Sequence, residues 1–264
     1  MTLNREDIWT ERGVLRFIHD GQTAYGLWEK GVIRLYHGSP FSGGQVSGQI
    51  VEPEQIKLLP PCNPSKIIGI GLNYKRHAQE VGLALPAEPM MFLKPPSALL
   101  GQGDYIVKPP ESKRVDFEAE LAIVVGKTCR RVSESQALGY VLGYTCLNDV
   151  TARDLQSKDG QFVRSKGFDT FSPVGPVIAL DVAPGNLGIR TVISGKALQN
   201  SNTSDLIFSV PYLVSYVSCM MTLEPGDVIA TGTPEGIAPI PDGATVNIEI
   251  DGIGRLTNPV KNLE

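Results

Sequence analysis

The hydrophobic pattern changes character inside one stretch, V-D-F-E-A-E-L-A-I-V-V-G at residues 115–126. Its first half alternates, so Asp116, Glu118 and Glu120 fall on one face of a strand and Val115, Phe117, Ala119 and Leu121 on the other. From Leu121 to Val125 every position is apolar, the pattern of a strand buried on both faces. The stretch therefore predicts a core strand whose acidic end stays at an edge or cleft. Carboxylates about 5 Å apart repel by roughly 3 kcal/mol at an effective dielectric of ~20. A solvated edge tolerates that. A cleft calls for a proton, a basic neighbour or a divalent cation, and oxygen-only ligands favour Mg²⁺, Mn²⁺ or Ca²⁺ over zinc.

Short strand patterns dominate the rest. The runs V-L-R-F-I-H, T-A-Y-G-L-W and V-I-R-L-Y, separated by D-G and K-G, predict a small antiparallel unit. The glycine-rich S-P-F-S-G-G-Q-V-S-G and the proline-rich L-L-P-P-C-N-P read as a connection. A boundary at about residue 60 follows, with a small β-rich domain over 1–60 and the main domain over 61–264. The main domain opens with the buried strand K-I-I-G-I-G-L-N-Y and a helix over Lys75 to Val81, closed by Gly82. Gly69 and Gly71 make only G-x-G, with Tyr74 where a dinucleotide fingerprint needs its third glycine.

M-M-F-L-K-P-P and Y-V-L-G-Y-T-C-L-N-D-V read as strands, the latter ending at Asp149, and T-A-R-D-L-Q-S-K as one or two helical turns. Ser133 to Leu138 predicts a short helix with Ser133 and Gln136 as a capping box. G-I-R-T-V-I and K-A-L-Q-N-S form a hairpin across Ser194-Gly195. Apolar residues at 210, 213, 214, 217 and 221 mark a core-facing helix over Val210 to Met221. Many strands and few helices make the fold α+β, mainly β.

At 264 residues, with 42% hydrophobic and 20% charged residues, the chain can bury a large core, and no run approaches the ~20 apolar residues of a membrane span. The opening M-T-L-N-R-E-D-I-W lacks a signal-peptide core, so a cytoplasmic protein is expected. Cys62, Cys129, Cys146 and Cys219 form no C-x-x-C pair, which predicts buried, reduced thiols rather than zinc or disulfides. A net charge of −4 without a Lys/Arg block argues against nucleic acid. An anionic substrate therefore needs local cations, for which Lys94, Arg153, Lys166 and Arg76 are the candidates.

His77 and Glu80, at i and i+3 of the predicted helix, share a face, so the carboxylate can orient the imidazole and raise its basicity. Four motifs now stand in order: G-L-N-Y-K-R-H-A-Q-E (71–80), D-F-E-A-E-L (116–121), N-D-V-T-A-R-D-L-Q (148–156) and T-G-T-P-E-G (231–236). With R-S-K-G-F-D-T-F (164–171) as a fifth, the chain from about Lys66 onward resembles the fumarylacetoacetate hydrolase superfamily. That resemblance implies a distorted β-roll catalytic domain, a homodimer, and one Mg²⁺ or Mn²⁺ held by Glu118, Glu120 and Asp149. It makes His77 and Glu80 a lid dyad that activates water, and Lys166 a contact to substrate or oxyanion. Lys94, Arg153, Gln156, Gly232 and Thr233 become substrate contacts, and Asp116 a support for the ligands. The first 60 residues carry none of the motifs.

The implied substrates are small 2-oxo or enol dicarboxylates and acylpyruvates, chelated through the keto or enol oxygen and the carboxylate, with an enolate stabilised by the metal. Carbon–carbon hydrolysis is the leading expectation. Oxaloacetate decarboxylation or tautomerisation, and isomerisation of a 2-hydroxyhepta-2,4-diene-1,7-dioate from aromatic catabolism, use the same intermediate. A non-catalytic ligand-binding module would break the E-x-E pair or the dyad, and both are intact.

Overall fold

The computed structural model of the protein describes residues 3–263. Among them the strands form three sheets. The largest, of 12 strands, runs in the order Gln45–Val51, Val32–His37, Gln22–Glu29, Arg12–His19, Ser172–Ala179, Val141–Asn148, Ala119–Val125, Val228–Ala230, Ile67–Gly71 and Met90–Lys94, with two short strands off this path. A five-stranded sheet carrying the Gly188–Ile193/Lys196–Asn202 hairpin packs on its central strands. The fold is α+β, mainly β, and the sheets do not close into a barrel. No helix among the described residues is long and apolar enough to cross a membrane.

The N-terminal strands join the main sheet directly, Arg12–His19 pairing antiparallel with Ser172–Ala179 at Val14↔Ile178. The glycine-rich segment read as a connection contains a fourth strand, Gln45–Val51, on the sheet's edge. Only Val51 in it is buried, so no apolar alternation announces it. The helix Val210–Met220 buries Val210, Leu213, Val214 and Val217, as its spacing predicts, and Ser209 caps it by accepting from the Tyr212 N–H. The capping box at Ser133 does not form. Ser133 Oγ donates instead to Gln136 Oε1 at 2.9 Å, and the two side chains satisfy each other rather than the backbone.

The 115–126 stretch differs most from the single strand its pattern predicts. It breaks at Glu118, into Val115–Phe117 in the three-stranded sheet and Ala119–Val125 in the large one. Glu118 leaves the ladder because its N–H donates to Asn148 Oδ1 (2.9 Å) and its carbonyl accepts from the Asp149 N–H (2.9 Å). The acidic half is as buried as the apolar half, with Asp116, Glu118 and Glu120 at 0, 5 and 2% exposure.

Strand pairing brings the motifs to one end of the sheet. Ala119 opposes Asn148, and Ala122 opposes Ala230 on the other side. Val228–Ala230 runs parallel to Ile67–Gly71. The two glutamates, Asp149, the loop after Ala230 and the segment after Gly71 therefore converge, as side chains and loops do at the ends of a rigid strand scaffold.

Candidate active site

Glu118, Glu120 and Asp149 each turn one carboxylate oxygen into a group whose members all lie within 4.8 Å of one another. Three such charges cannot be buried unpaired. Lys166 Nζ donates to Glu118 Oε2 (2.9 Å), Asp149 Oδ2 (2.5 Å) and Thr151 Oγ1 (2.8 Å), which uses all three of its protons. Lys94 Nζ donates to Asp149 Oδ1 and to the Phe171 carbonyl at 2.7 Å. Arg153 reaches Glu118 Oε1 through Nη2, Asp116 Oδ2 through Nε (2.9 Å) and Gln156 Oε1 through Nη1 (2.6 Å). Asp116 is held in turn by Arg114 at 3.0 and 3.1 Å. Asp116 thus sits behind Arg153 and aims it at Glu118.

These pairings split the two glutamates. Burial alone would raise the Glu118 carboxyl, but Lys166 and Arg153 outweigh it and draw it down to about 2. Glu120 has one protein partner among the described residues, the Gly232 N–H on Oε2 at 2.8 Å. Burial, then Asp149 and Glu118, push its carboxyl well above the usual carboxylate range. Burial lowers the Lys94 ammonium, whereas at Lys166 burial is outweighed by Asp149 and Glu118 and the ammonium is raised. The donor set suits a hard divalent cation: it is all oxygen, it converges, and Glu120 keeps Oε1 free of protein donors with a proton a cation can replace.

The helix Lys75–Glu80 stands over this cluster. His77 Nδ1 lies 2.9 Å from Glu80 Oε2, and Glu80 Oε1 accepts from the Gly236 N–H at 2.9 Å. The dyad is therefore tied to the T-G-T-P-E-G loop. Asn73, whose neighbours in sequence give no hint of a role, anchors the helix entry: Nδ2 donates to the Thr231 carbonyl (2.8 Å) and Oδ1 accepts from the Phe208 N–H (2.8 Å). Gly232 is required at its position. Its φ is +99°, and a Cβ would lie 2.8 Å from Asn73 Cβ.

Between helix and carboxylates lies a cavity of about 330 Å³. Of the residues singled out from sequence, His77, Glu118, Glu120, Asp149, Arg153, Gln156, Lys166 and Thr233 line it. Glu80, Gly232 and Lys94 stand behind the lining: Glu80 on His77, Gly232 on Glu120, and fully buried Lys94 beneath Asp149. Arg76 is exposed and pairs with Glu235 at 3.6 Å. The apolar walls, Phe92, Phe162, Val81, Leu83, Met90 and Ile237, carried no chemical signal and were missed. Phe92 packs edge-on to Phe162, with Lys166 Nζ 5.0 Å from its ring centre.

Residues 66–261 match the family described as Fumarylacetoacetate (FAA) hydrolase C-terminal, and residues 14–61 the one described as Rv2993c-like, N-terminal. A mitochondrial oxaloacetate tautomerase of Xenopus laevis is 43% identical over 224 residues, 80% of this chain and 70% of its own. The crystal structure of 2-hydroxyhepta-2,4-diene-1,7-dioate isomerase from Mycobacterium marinum matches with a TM-score of 0.88 at 42% identity, covering 96% of this chain and 99% of that one. Maleylpyruvate hydrolase from Sphingobium sp. SYK-6, solved with manganese (II) and pyruvate, matches with a TM-score of 0.80 at 30% identity, covering 96% of this chain and 100% of that one. Their names span tautomerisation, isomerisation and hydrolysis. The chain belongs to the fumarylacetoacetate hydrolase family and is an enzyme of that superfamily.

Proposed function

We propose that the protein hydrolyses a carbon–carbon bond in small 2-oxo acids of the acylpyruvate or fumarylpyruvate type, with one Mg²⁺ or Mn²⁺ held by Glu118, Glu120 and Asp149. The observation that carries this reading is His77: buried, paired to Glu80 at 2.9 Å, and lining the same cavity as the three carboxylates. A divalent ion in that site supplies a Lewis acid and a chelation point for the 2-oxo acid group. The rest falls to side chains. With Glu80 accepting from Nδ1–H, His77 Nε2 is free to take a proton from water. The water oxygen attacks the acyl carbonyl, the C–C bond breaks with its electron pair on the pyruvate fragment, and protonation of that carbon releases pyruvate. Lys166 and Arg153 keep Glu118 ionised, Thr233 and Gln156 orient the substrate, and the apolar wall limits bulk water. We assign the first 60 residues a supporting role as an extension of the main sheet.

The likeness to an oxaloacetate tautomerase at 43% identity favours a second reading, proton transfer between C3 and the enol oxygen of oxaloacetate without carbon–carbon cleavage; decarboxylation and dienedioate isomerisation are its relatives. The deciding experiment is a panel with Mg²⁺ and with Mn²⁺: acetylpyruvate, fumarylpyruvate, oxaloacetate in both tautomers, and 2-hydroxyhepta-2,4-diene-1,7-dioate. Pyruvate release from an acylpyruvate supports hydrolysis. Enol–keto exchange of oxaloacetate with no acylpyruvate cleavage would reject it.

A further inference from the structure

Gln199 lies on the strand Lys196–Asn202, where its neighbours are exposed or half-buried, yet it is fully buried. A primary amide offers two donors and two acceptor lone pairs, and Gln199 uses all four. Oε1 accepts from the Ala119 N–H (3.0 Å) and from Thr191 Oγ1 (2.7 Å), while Nε2 donates to Thr233 Oγ1 (2.9 Å) and to the Pro234 carbonyl (2.8 Å). An N–H on one side and a carbonyl on the other fix which way the amide points.

The partners matter more than their number. Ala119 is the residue between Glu118 and Glu120. Thr233 lines the cavity, and two residues beyond Pro234 the Gly236 N–H holds Glu80, the partner of His77. The same loop is pressed onto the Gln199 strand: at Gly236, with φ +92°, a Cβ would lie 2.5 Å from the Leu198 carbonyl oxygen. One side chain from the five-stranded sheet therefore joins the backbone between two carboxylates to the loop that carries Thr233. Gln199 does not itself line the cavity.

We infer that Gln199 is a positioning residue that fixes the Thr233 loop relative to the Glu118/Glu120 pair, so that a cation on the carboxylates and a 2-oxo acid against Thr233 meet in one geometry. This rests on the functional reading above for what the loop binds. The test measures Mn²⁺ affinity by electron paramagnetic resonance, and oxalate affinity of the Mn²⁺-loaded protein by calorimetry, in wild type, Gln199→Met, Thr233→Val and the double variant. A buried hydrogen bond lost without replacement predicts oxalate binding weakened about tenfold or more in Gln199→Met. The double variant should lose less than the product of the single losses.

Oxalate affinity within twofold of wild type, with only the melting temperature lowered, would show a merely structural glutamine and overturn the inference, as would strictly multiplicative losses. Should Gln199→Met not fold, Gln199→Glu keeps the shape and the acceptors but loses an amide donor, and is judged by the same two criteria. Wild type that binds Mn²⁺ but not oxalate, or neither, refutes the functional reading first and removes the basis of this one.

Discussion

Replacing Glu118 and Glu120 by glutamine makes the same chemical change two positions apart, and the site predicts a large loss of stability at one and almost none at the other in the ion-free protein. Glu118 is ionised and holds Lys166 and Arg153. A buried carboxyl held at about 2 instead of 4.5 stabilises the fold by roughly 3 kcal/mol at pH 6. This contribution is complete above the unfolded value and is lost as pH falls toward the folded one. Glu118→Gln removes it and leaves two buried cations short of a partner, so a melting-temperature drop of about 6–12 °C follows at ~2–4 °C per kcal/mol. Glu120 is pushed the other way, and glutamine copies its protonated form. Glu120→Gln should cost under about 1 kcal/mol. The assay is thermal or urea unfolding at pH 6 in chelator, repeated with Mn²⁺ at about 100 times its Kd. Wild type should then gain about 2.7 kcal/mol, and neither variant should gain. A Glu120→Gln protein as destabilised as Glu118→Gln, or a Glu118→Gln protein of wild-type stability, would refute the charge assignment.

Three further outcomes follow from the same geometry. His77→Ala should lower acylpyruvate hydrolysis by about 10²–10⁴-fold with Mn²⁺ affinity unchanged; unaltered cleavage rejects the dyad as the water activator. Because a cation must displace the Glu120 proton, Mn²⁺ affinity should rise with pH through the raised Glu120 value, releasing about one proton per ion. Calorimetry in buffers of different ionisation enthalpy measures that release, and zero protons across the range would contradict it. Burial pushes the Cys62 thiol up to about 12 and also raises Cys146 and Cys129, whereas Cys219 is only half-buried. Native protein at pH 8 should therefore take up iodoacetamide at Cys219 alone, read by peptide mass.

The carboxylates were legible because ionised groups repeating at period two before an all-apolar run are costly unless something pairs them, and that cost is visible in sequence. The fold class was legible for a related reason, since strands buried on both faces leave long apolar runs. What stayed hidden has a physical cause in each case. Gln45–Val51 pairs through its backbone at an exposed edge and needs no apolar pattern. The break at Glu118 is set by Asn148 and Asp149, about thirty residues away in sequence, and local alternation cannot register such a contact. Gln199 and Asn73 act through hydrogen bonds to backbone atoms of distant segments. Glutamine in K-A-L-Q-N-S looks like any polar strand residue. Phe92 and Phe162 bear no ionisable or hydrogen-bonding side chain, so nothing in the sequence marks them as cavity walls.

Lys94 and Arg153 show most clearly how the local charge is set. Counting three carboxylates against one divalent ion leaves −1, a poor place for a dianion, and suggests that cations elsewhere must draw the substrate in. The cations are instead placed on the carboxylates themselves. Asp116, Glu118 and Asp149 pair with Arg114, Arg153, Lys166 and Lys94, three carboxylates against four cations in one hydrogen-bonded group, and Glu120 stands beside them on the Gly232 N–H. A divalent ion that displaces the Glu120 proton then leaves the cluster at +2 rather than −1. A dicarboxylate matches that charge on arrival. A monocarboxylic acylpyruvate such as acetylpyruvate arrives with −1 and would reach −2 only once water has given its proton to His77 and its oxygen has added to the acyl carbonyl. Under the proposed hydrolysis, the cluster would favour for such a substrate the charge that develops during reaction over the charge present at binding, which is the condition for accelerating the chemical step rather than merely tightening the complex.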